Sequence, residues 1–202
     1  MLRTLFIVGK SLDESINEEL REEAQKYQDI IQVNFDDTYR NLTYKTMALI
    51  KWTAQYCSNA KYLMKVDDDV NVNINLLIND LHEKYSDAKM SFLCHINFYG
   101  SAIRNVNSKY FVAKSSFNSD KFPIYCDGPA YLLTNDNLTS NLYRLSTKYE
   151  LFFLEDLFLT GLLAKKVNQL SYIFLNHRFE RHYDGFLLNM LKKSFYKYFV
   201  YT

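Results

Sequence analysis

Apolar and polar positions along the first part of the chain alternate between two periods. Residues 5–8 form a short continuous apolar run closed by Gly9, and Ile16, Leu20, Ala24 and Tyr27 then recur at helical spacing among charges. This predicts a strand followed by an amphipathic helix. The unit repeats. Residues 29–35 are rich in β-formers and stop at Asp36 and Asp37, after which Leu42, Leu49, Ile50, Thr53 and Tyr56 mark a second helix face. Residues 61–66 predict a third strand that runs straight into Asp67, Asp68 and Asp69, and Ile74, Leu77, Ile78 and Leu81 mark the helix after it. Such alternation predicts an α/β domain of parallel strands with covering helices. Beyond Tyr85 the pattern changes. Residues 92–96, 109–113 and 130–134 are strand candidates joined by loops, helical spacing returns at 135–148 and 156–166, and a last strand at 170–175 precedes an aromatic-rich tail.

Composition narrows the class. A length of 202 residues is one domain's worth, and 48% apolar content is too rich for a disordered chain. With 24 Lys and Arg against 23 Asp and Glu, the net charge of +1 supplies no basic field for nucleic acid, so no nucleic-acid partner is expected. No run approaches the roughly 18 apolar residues of a membrane span. Cys57, Cys94 and Cys126 lack C-x-x-C spacing, which disfavours zinc and allows at most one internal disulfide, its pairing open. Asn41 and Asn137 open N-x-[ST] triplets and are glycosylation candidates if the chain is secretory.

The most informative feature is Asp67-Asp68-Asp69. Three carboxylates directly after an apolar strand repel one another, and strand alternation would put Asp67 and Asp69 on the same side. At the carboxyl end of a parallel strand a divalent cation would offset that repulsion, and all-oxygen donors favour Mg²⁺ or Mn²⁺. A solvated acidic turn, with Asp69 capping the following helix, is the competing account. Glu155 and Asp156 likewise fit an acidic first helical turn without any catalytic role.

The run from Tyr62 to Asn73, Tyr-Leu-Met-Lys-Val-Asp-Asp-Asp-Val-Asn-Val-Asn, resembles the metal-binding DxD segment of the β-1,3-galactosyltransferase and β-1,3-N-acetylglucosaminyltransferase family, glycosyltransferase family 31. Other blocks agree in order. Residues 6–9 resemble the strand before a Glu-rich helix, and residues 29–46 resemble a "D-I-I…F-x-D-x-Y-x-N-L-T-x-K-T" block. Trp52 with Cys57 matches the helix that follows. Residues 109–112 and 122–134 resemble "K-W-x-V" and "Y-P-x-Y-x-x-G-x-G-Y-x-x-S", and residues 153–161 an "E-D-V-x-x-G" segment. The resemblance covers residues 5–178. It implies a GT-A-type nucleotide-sugar-binding fold, a mixed, mostly parallel sheet with flanking helices, over residues 1–178, with 179–202 as a tail packed on it.

The resemblance also implies chemistry: transfer of galactose, or N-acetylglucosamine, from UDP-galactose or UDP-N-acetylglucosamine to a glycan acceptor on protein or lipid, with inversion. Mn²⁺ or Mg²⁺ would be held by Asp69, with Asp67 and His177 completing the shell and His182 the rival histidine. Asp67, Asp68, Lys65 and Gly128 would form the cofactor-binding set. Asp156 is the expected base that takes the acceptor proton, with Glu155 second. Tyr125 and Tyr131, flanking Gly128, are candidates to stack on a sugar face, and Trp52 is expected in the core. Ala130, where the family carries a second glycine, and Pro129 are expected to stiffen the loop and narrow the acceptor side. Family domains begin further upstream, with another strand and a membrane anchor, so this chain reads as an N-terminally truncated member. Residence in the Golgi lumen follows by resemblance, with membrane attachment only through an anchor absent from this chain. A non-catalytic member that binds sugar nucleotide or a partner protein is the alternative, and a metal-dependent phosphotransferase is disfavoured because no phosphate-cradling glycine cluster is present.

Overall fold

The computed structural model describes residues 2–180 and 200–201. The first β-α-β unit is as patterned: β1 (Phe6–Lys10), α1 (Glu14–Tyr27) and β2 (Ile30–Asp36), with β1 and β2 parallel in a sheet of their own. Asp13 caps α1 by accepting from the Ser15 N–H at 2.9 Å, and Gln28 ends it in a left-handed conformation at φ 58°. A Cβ on Gly9 would stand 2.8 Å from the Phe35 carbonyl oxygen, so only glycine lets β1 approach the end of β2 this closely. The next helix, α2 (Leu42–Tyr56), buries Thr43, Thr46, Met47, Ile50 and Thr53, one face at helical spacing.

The remaining elements are β3 (Tyr62–Val66), β4 (Asn71–Val72), α3 (Ile74–Glu83), β5 (Ser91–Asn97), β6 (Tyr125–Thr134), α4 (Leu138–Ser146), α5 (Glu155–Leu157), β7 (Ser171–Phe174), β8 (Phe179–Glu180) and β9 (Val200–Tyr201). Four of these strands form the main sheet in the order β3-β6-β5-β7. Its two inner strands are buried almost throughout, and alternate side chains feed two cores. Phe92, Tyr131 and Leu133 pack with Ile50, Leu142 and Phe158 on one face; Leu93, Ala130 and Leu132 pack with Leu77 and Leu175 on the other. Helices therefore cover both sides of a central sheet, the mixed α/β arrangement with flanking helices that was expected.

Several details differ from the pattern. Among the described strands, parallel and antiparallel pairings are equally common, because β3 and β5 both run antiparallel to β6. Residues 109–113 are no strand, only one bridge from Ile103 to Phe111, because the Arg104 guanidinium takes the carbonyls of Val112, Phe117 and Ser119 at 2.8, 2.9 and 2.7 Å. The helix expected from residue 156 is a short α-turn that continues as a π-turn at Phe158–Leu163. Trp52 is half-buried beside Tyr56, their rings 5.9 Å apart, and belongs to neither core cluster. Cys94 and Cys126 form a disulfide across β5 and β6, with Cα atoms 5.6 Å apart, and Cys57 is free.

Candidate active site

β3 delivers Lys65 inward and then ends. Asp67, Asp68 and Asp69 form a turn beyond it, so strand alternation does not set their directions, and Asn73 rather than Asp69 caps α3 by accepting from Leu76 N–H. The turn is pinned to the neighbouring strand through the Asp67 N–H, which donates to the Pro129 carbonyl at 2.9 Å. Lys65 is the hub. Its ammonium donates to the Gly128 carbonyl at 2.6 Å, pairs with Glu155 Oε1 at 3.1 Å and contacts the Asp67 carboxylate. Burial opposes the charge on this lysine, yet the carboxylates of Glu155 and Asp67 hold its pKa above the ordinary value. Burial also lifts the Asp67 carboxyl above its ordinary range, against the opposing pull of Lys65.

Glu155 is buried and fully engaged. Its second oxygen accepts from Thr46 Oγ1 at 2.8 Å and from the Tyr131 hydroxyl at 3.0 Å, so this carboxylate, expected as the second candidate base, serves to join α2, β3, β6 and α5. Tyr131, expected as a stacking platform, is completely buried and cannot meet a sugar; burial, then the Glu155 charge, keeps its phenol protonated. Tyr125 is half-buried with its ring edge-on to Phe122.

Asp156 stands apart from this network. One oxygen accepts from the Leu157 N–H at 2.8 Å, while the other lies against Gly128, where a Cβ would come within 3.1 Å of it. Gly128 carries no left-handed backbone; it is needed for the space it leaves. Burial first, then the Glu155 charge, pushes the Asp156 carboxyl up to about 7. A carboxyl titrating near neutrality in a cleft is suited to proton transfer. Ala130, expected to narrow the acceptor side, is instead fully buried in the core beneath α3.

A cavity of about 440 Å³ opens at the carboxyl ends of β1 and β2, lined by Val8, Gly9, Lys10, Asp36, Asp37 and Thr38. Ligands of open α/β sheets bind at such ends. Next to Thr38 of this cavity, Tyr39 has its phenol pKa raised by burial, then by Tyr110 and the charges of Asp156 and Asp67. Lys109 stands 5.3 and 4.8 Å from the ring centres of Tyr39 and Tyr110. A second cavity of about 450 Å³, lined by Pro123, Ile124, Lys165 and Tyr172 among others, has no carboxylate in its wall and plays no part in this constellation.

The site therefore joins a strand-end acid triplet, a buried lysine and an acid pair within one sheet edge. A model of the galactosyltransferase family matches residues 1–172. The chain belongs to the galactosyltransferase family. Beta-1,3-galactosyltransferase 1 of Homo sapiens is 34% identical over 166 residues, covering 82% of this chain and 50% of the relative. Beta-1,3-galactosyltransferase 5 of Homo sapiens is 34% identical over 167 residues, 83% of this chain and 53% of the relative. The chain spans about half the length of these relatives. Among solved structures, the apo form of mouse xyloside xylosyltransferase 1 matches with a TM-score of 0.38 and 10% identity, over 98% of this chain and 83% of that one.

The remaining sequence candidates are placed as follows. Asp68 and Asp69 are exposed in the turn. Among the described residues, no group of three or more His, Cys, Asp and Glu is gathered as a metal cage. His177 lies in the 3-10 turn Asn176–Arg178, its side chain outside the described residues, as is the whole of His182. Asn41 donates its amide to the Asp36 carbonyl at 2.8 Å, and Thr43 of its triplet is buried and donates to the Phe152 carbonyl at 2.7 Å. Asn137 is exposed at the start of α4, with Thr139 buried. Thr46 and Tyr39 stand at fixed positions of the 29–46 block and Asp127 lies within the 122–134 block, yet neither block assigns them a contact, and His95 has no motif, since each gains meaning only through contacts distant in sequence.

Proposed function

We propose that this chain carries out metal-dependent, inverting transfer of galactose from UDP-galactose to the 3-hydroxyl of a glycan acceptor on protein or lipid. The names of its relatives favour galactose over N-acetylglucosamine. Residues 1–178 are the catalytic domain; the tail expected over 179–202 lies largely outside the described residues. The observation that carries the reading is the division of labour between the two adjacent acids: Glu155 is consumed by Lys65, Thr46 and Tyr131, whereas Asp156 keeps one oxygen against the Gly128 backbone and titrates near 7.

Asp156 takes the proton from the acceptor hydroxyl as that oxygen bonds to the sugar's anomeric carbon. The bond from that carbon to the diphosphate breaks on the opposite face, and its electron pair leaves with UDP. The carboxylates of Asp67 and Asp69 would hold Mn²⁺ or Mg²⁺ as hard oxygen donors, with His177 as the further candidate. When bound, the cation neutralises charge on the departing diphosphate. Lys65 holds Asp67 and Glu155 in place, and the cavity at the ends of β1 and β2 suits the nucleoside. The disulfide favours an oxidising compartment, in keeping with the Golgi lumen. Among the described residues no helix is long and apolar enough to cross a membrane.

Calorimetric titration of UDP with and without Mn²⁺ tests the donor site: binding should require the metal and be lost in Asp69→Ala. Asp156→Asn should reduce transfer by at least a thousandfold while UDP affinity stays within about twofold. Full transfer in excess EDTA would sink the metal, and retained transfer in Asp156→Asn would sink the base.

A further inference from the structure

Asn137 opens the triplet Asn137-Leu138-Thr139 beyond the end of β6 that lies away from the acid pair. Gly128, against which Asp156 lies, and Thr134 are six positions apart on β6, roughly 20 Å of strand, and Asn137 follows Thr134. Asn137 is exposed just ahead of α4, with a left-handed backbone at φ 72° that asparagine adopts readily. Its side chain makes no capping hydrogen bond, so a substituent on Nδ2 disturbs no native cap. The other triplet differs. The Asn41 amide donates to the Asp36 carbonyl at 2.8 Å, and Asp36 lines the cavity assigned to the nucleoside, so bulk on that amide would compete with both. Cys94 and Cys126 are joined and fully buried, a bond that forms and persists in oxidising compartments. Asn-linked oligosaccharides are added to exposed N-x-[ST] triplets in that same setting.

We propose that Asn137 carries an N-linked oligosaccharide, attached before α4 packs onto the sheet. The inference rests on the luminal, oxidising setting of the proposed function and on neither the base nor the metal. In the attachment step the Asn137 Nδ2 bonds to the anomeric carbon of an oligosaccharide held on a polyprenyl diphosphate. The bond from that carbon to the diphosphate oxygen breaks, its electron pair leaves with the diphosphate, and Nδ2 gives up one proton. The transferring enzyme has to reach the hydroxyl of the triplet, and in the folded chain that hydroxyl is closed off. Thr139 is buried and its Oγ1 donates to Asn135 Oδ1, while Asn135 Nδ2 donates to the Cys57 carbonyl at 2.7 Å. Leu138, between the two triplet residues, is buried in the core with Leu142. Folding of α4 therefore closes the triplet, and the acceptor is the chain before that point. Once attached, the oligosaccharide stands at the end of the main sheet where β3 begins and β6 finishes, away from Asp67 and Gly128, and leaves the candidate active site open.

The test is secretion of the full chain behind a cleavable leader from cultured eukaryotic cells, followed by treatment with peptide N-glycosidase in ¹⁸O-water and peptide mass spectrometry. Most copies should show ¹⁸O-labelled aspartate at position 137, and Asn137→Asp should remove one glycan's worth of electrophoretic shift. Aspartate tolerates the left-handed backbone and keeps the fold, and Asn137→Gly is the second variant should the first not be secreted. Unlabelled asparagine at 137 in a secreted chain whose Cys94–Cys126 disulfide is mapped overturns the proposal and leaves the compartment standing. If the disulfide is missing as well, the compartment fails and this inference with it. The order of events is read with purified oligosaccharyltransferase and a polyprenyl-diphosphate chitobiose. The full chain with its cysteines reduced and alkylated, which their burial makes incompatible with the fold, should be modified at Asn137 at least about tenfold faster than the folded chain. Equal rates would overturn attachment before folding.

Discussion

Lys65 brings a full positive charge to a position where its side chain is only 15% exposed, and its partner Glu155 only 6%. Breaking such a pair by removing one partner leaves an uncompensated buried charge, which costs about 3–5 kcal/mol, whereas removing both charges costs far less. Lys65→Met should therefore destabilise the chain by about that amount in urea titration, and Lys65→Met with Glu155→Gln should recover a large part of it. Additive losses in the double-mutant cycle would contradict the hub. Asp156 presents the opposite case. Its carboxyl titrates near 7 in the folded state and near 3.9 when unfolded, so between those values the folded form holds a proton that the unfolded form has released. Stability attributable to this group is present below pH 4 and is lost as pH rises through 7. Asp156→Asn should consequently raise stability by roughly 2–4 kcal/mol at pH 8 and leave it nearly unchanged at pH 4, read by chemical denaturation at the two values. The residues of this site were legible wherever they sit in one contiguous segment, as Lys65 with Asp67 and Glu155 with Asp156 do. Their contacts with residues elsewhere were not, because Thr46 lies 109 positions from Glu155 and Tyr131 lies 24.

Helices α1, α2 and α3 follow from period alone, since each has one apolar face and a defined stop. Strand partners do not. An apolar run such as residues 130–134 reads the same whether its neighbour is parallel or antiparallel, and only the fold sets β3 and β5 antiparallel to β6. The stretch 98–124 shows why β-rich sequence need not become strand. One guanidinium from Arg104 satisfies three carbonyls that a ladder would otherwise have used. The segment carrying Asp156 is similarly set by tertiary contacts: Thr160, in the π-turn, receives the Cys126 N–H and returns a hydrogen bond to the Asp156 carbonyl. π-Turns of this kind recur at functional sites. Thr160→Val keeps the shape and removes both bonds, leaving the buried Cys126 N–H unsatisfied. It should cost about 1–3 kcal/mol and lower kcat with little change in donor KM, checked by thermal melts and steady-state kinetics.

At the scale of the molecule, the β1–β2 sheet and the main sheet each contribute one side of the site. The first supplies the cavity ending at Asp37 and Thr38, the second the strand end and the lysine, with Asp156 held against it at Gly128. A donor that occupies both sides makes contacts only the assembled fold can offer, so it stabilises the native state by mass action. At a hundred times its dissociation constant, UDP with Mn²⁺ should add about 2.7 kcal/mol, and a chain of this length should melt about 5–11 °C higher. UDP alone, or Mn²⁺ alone, should move the melting temperature by no more than about a third of that if metal and diphosphate bind as a unit. Asp69→Ala should abolish the joint shift while leaving the melting temperature of the free chain in place, because its carboxylate is exposed in the turn. Shifts from the separate components that simply add to the joint value would mean that metal and nucleotide occupy independent sites, and the acid triplet would then have to be read as a solvated turn.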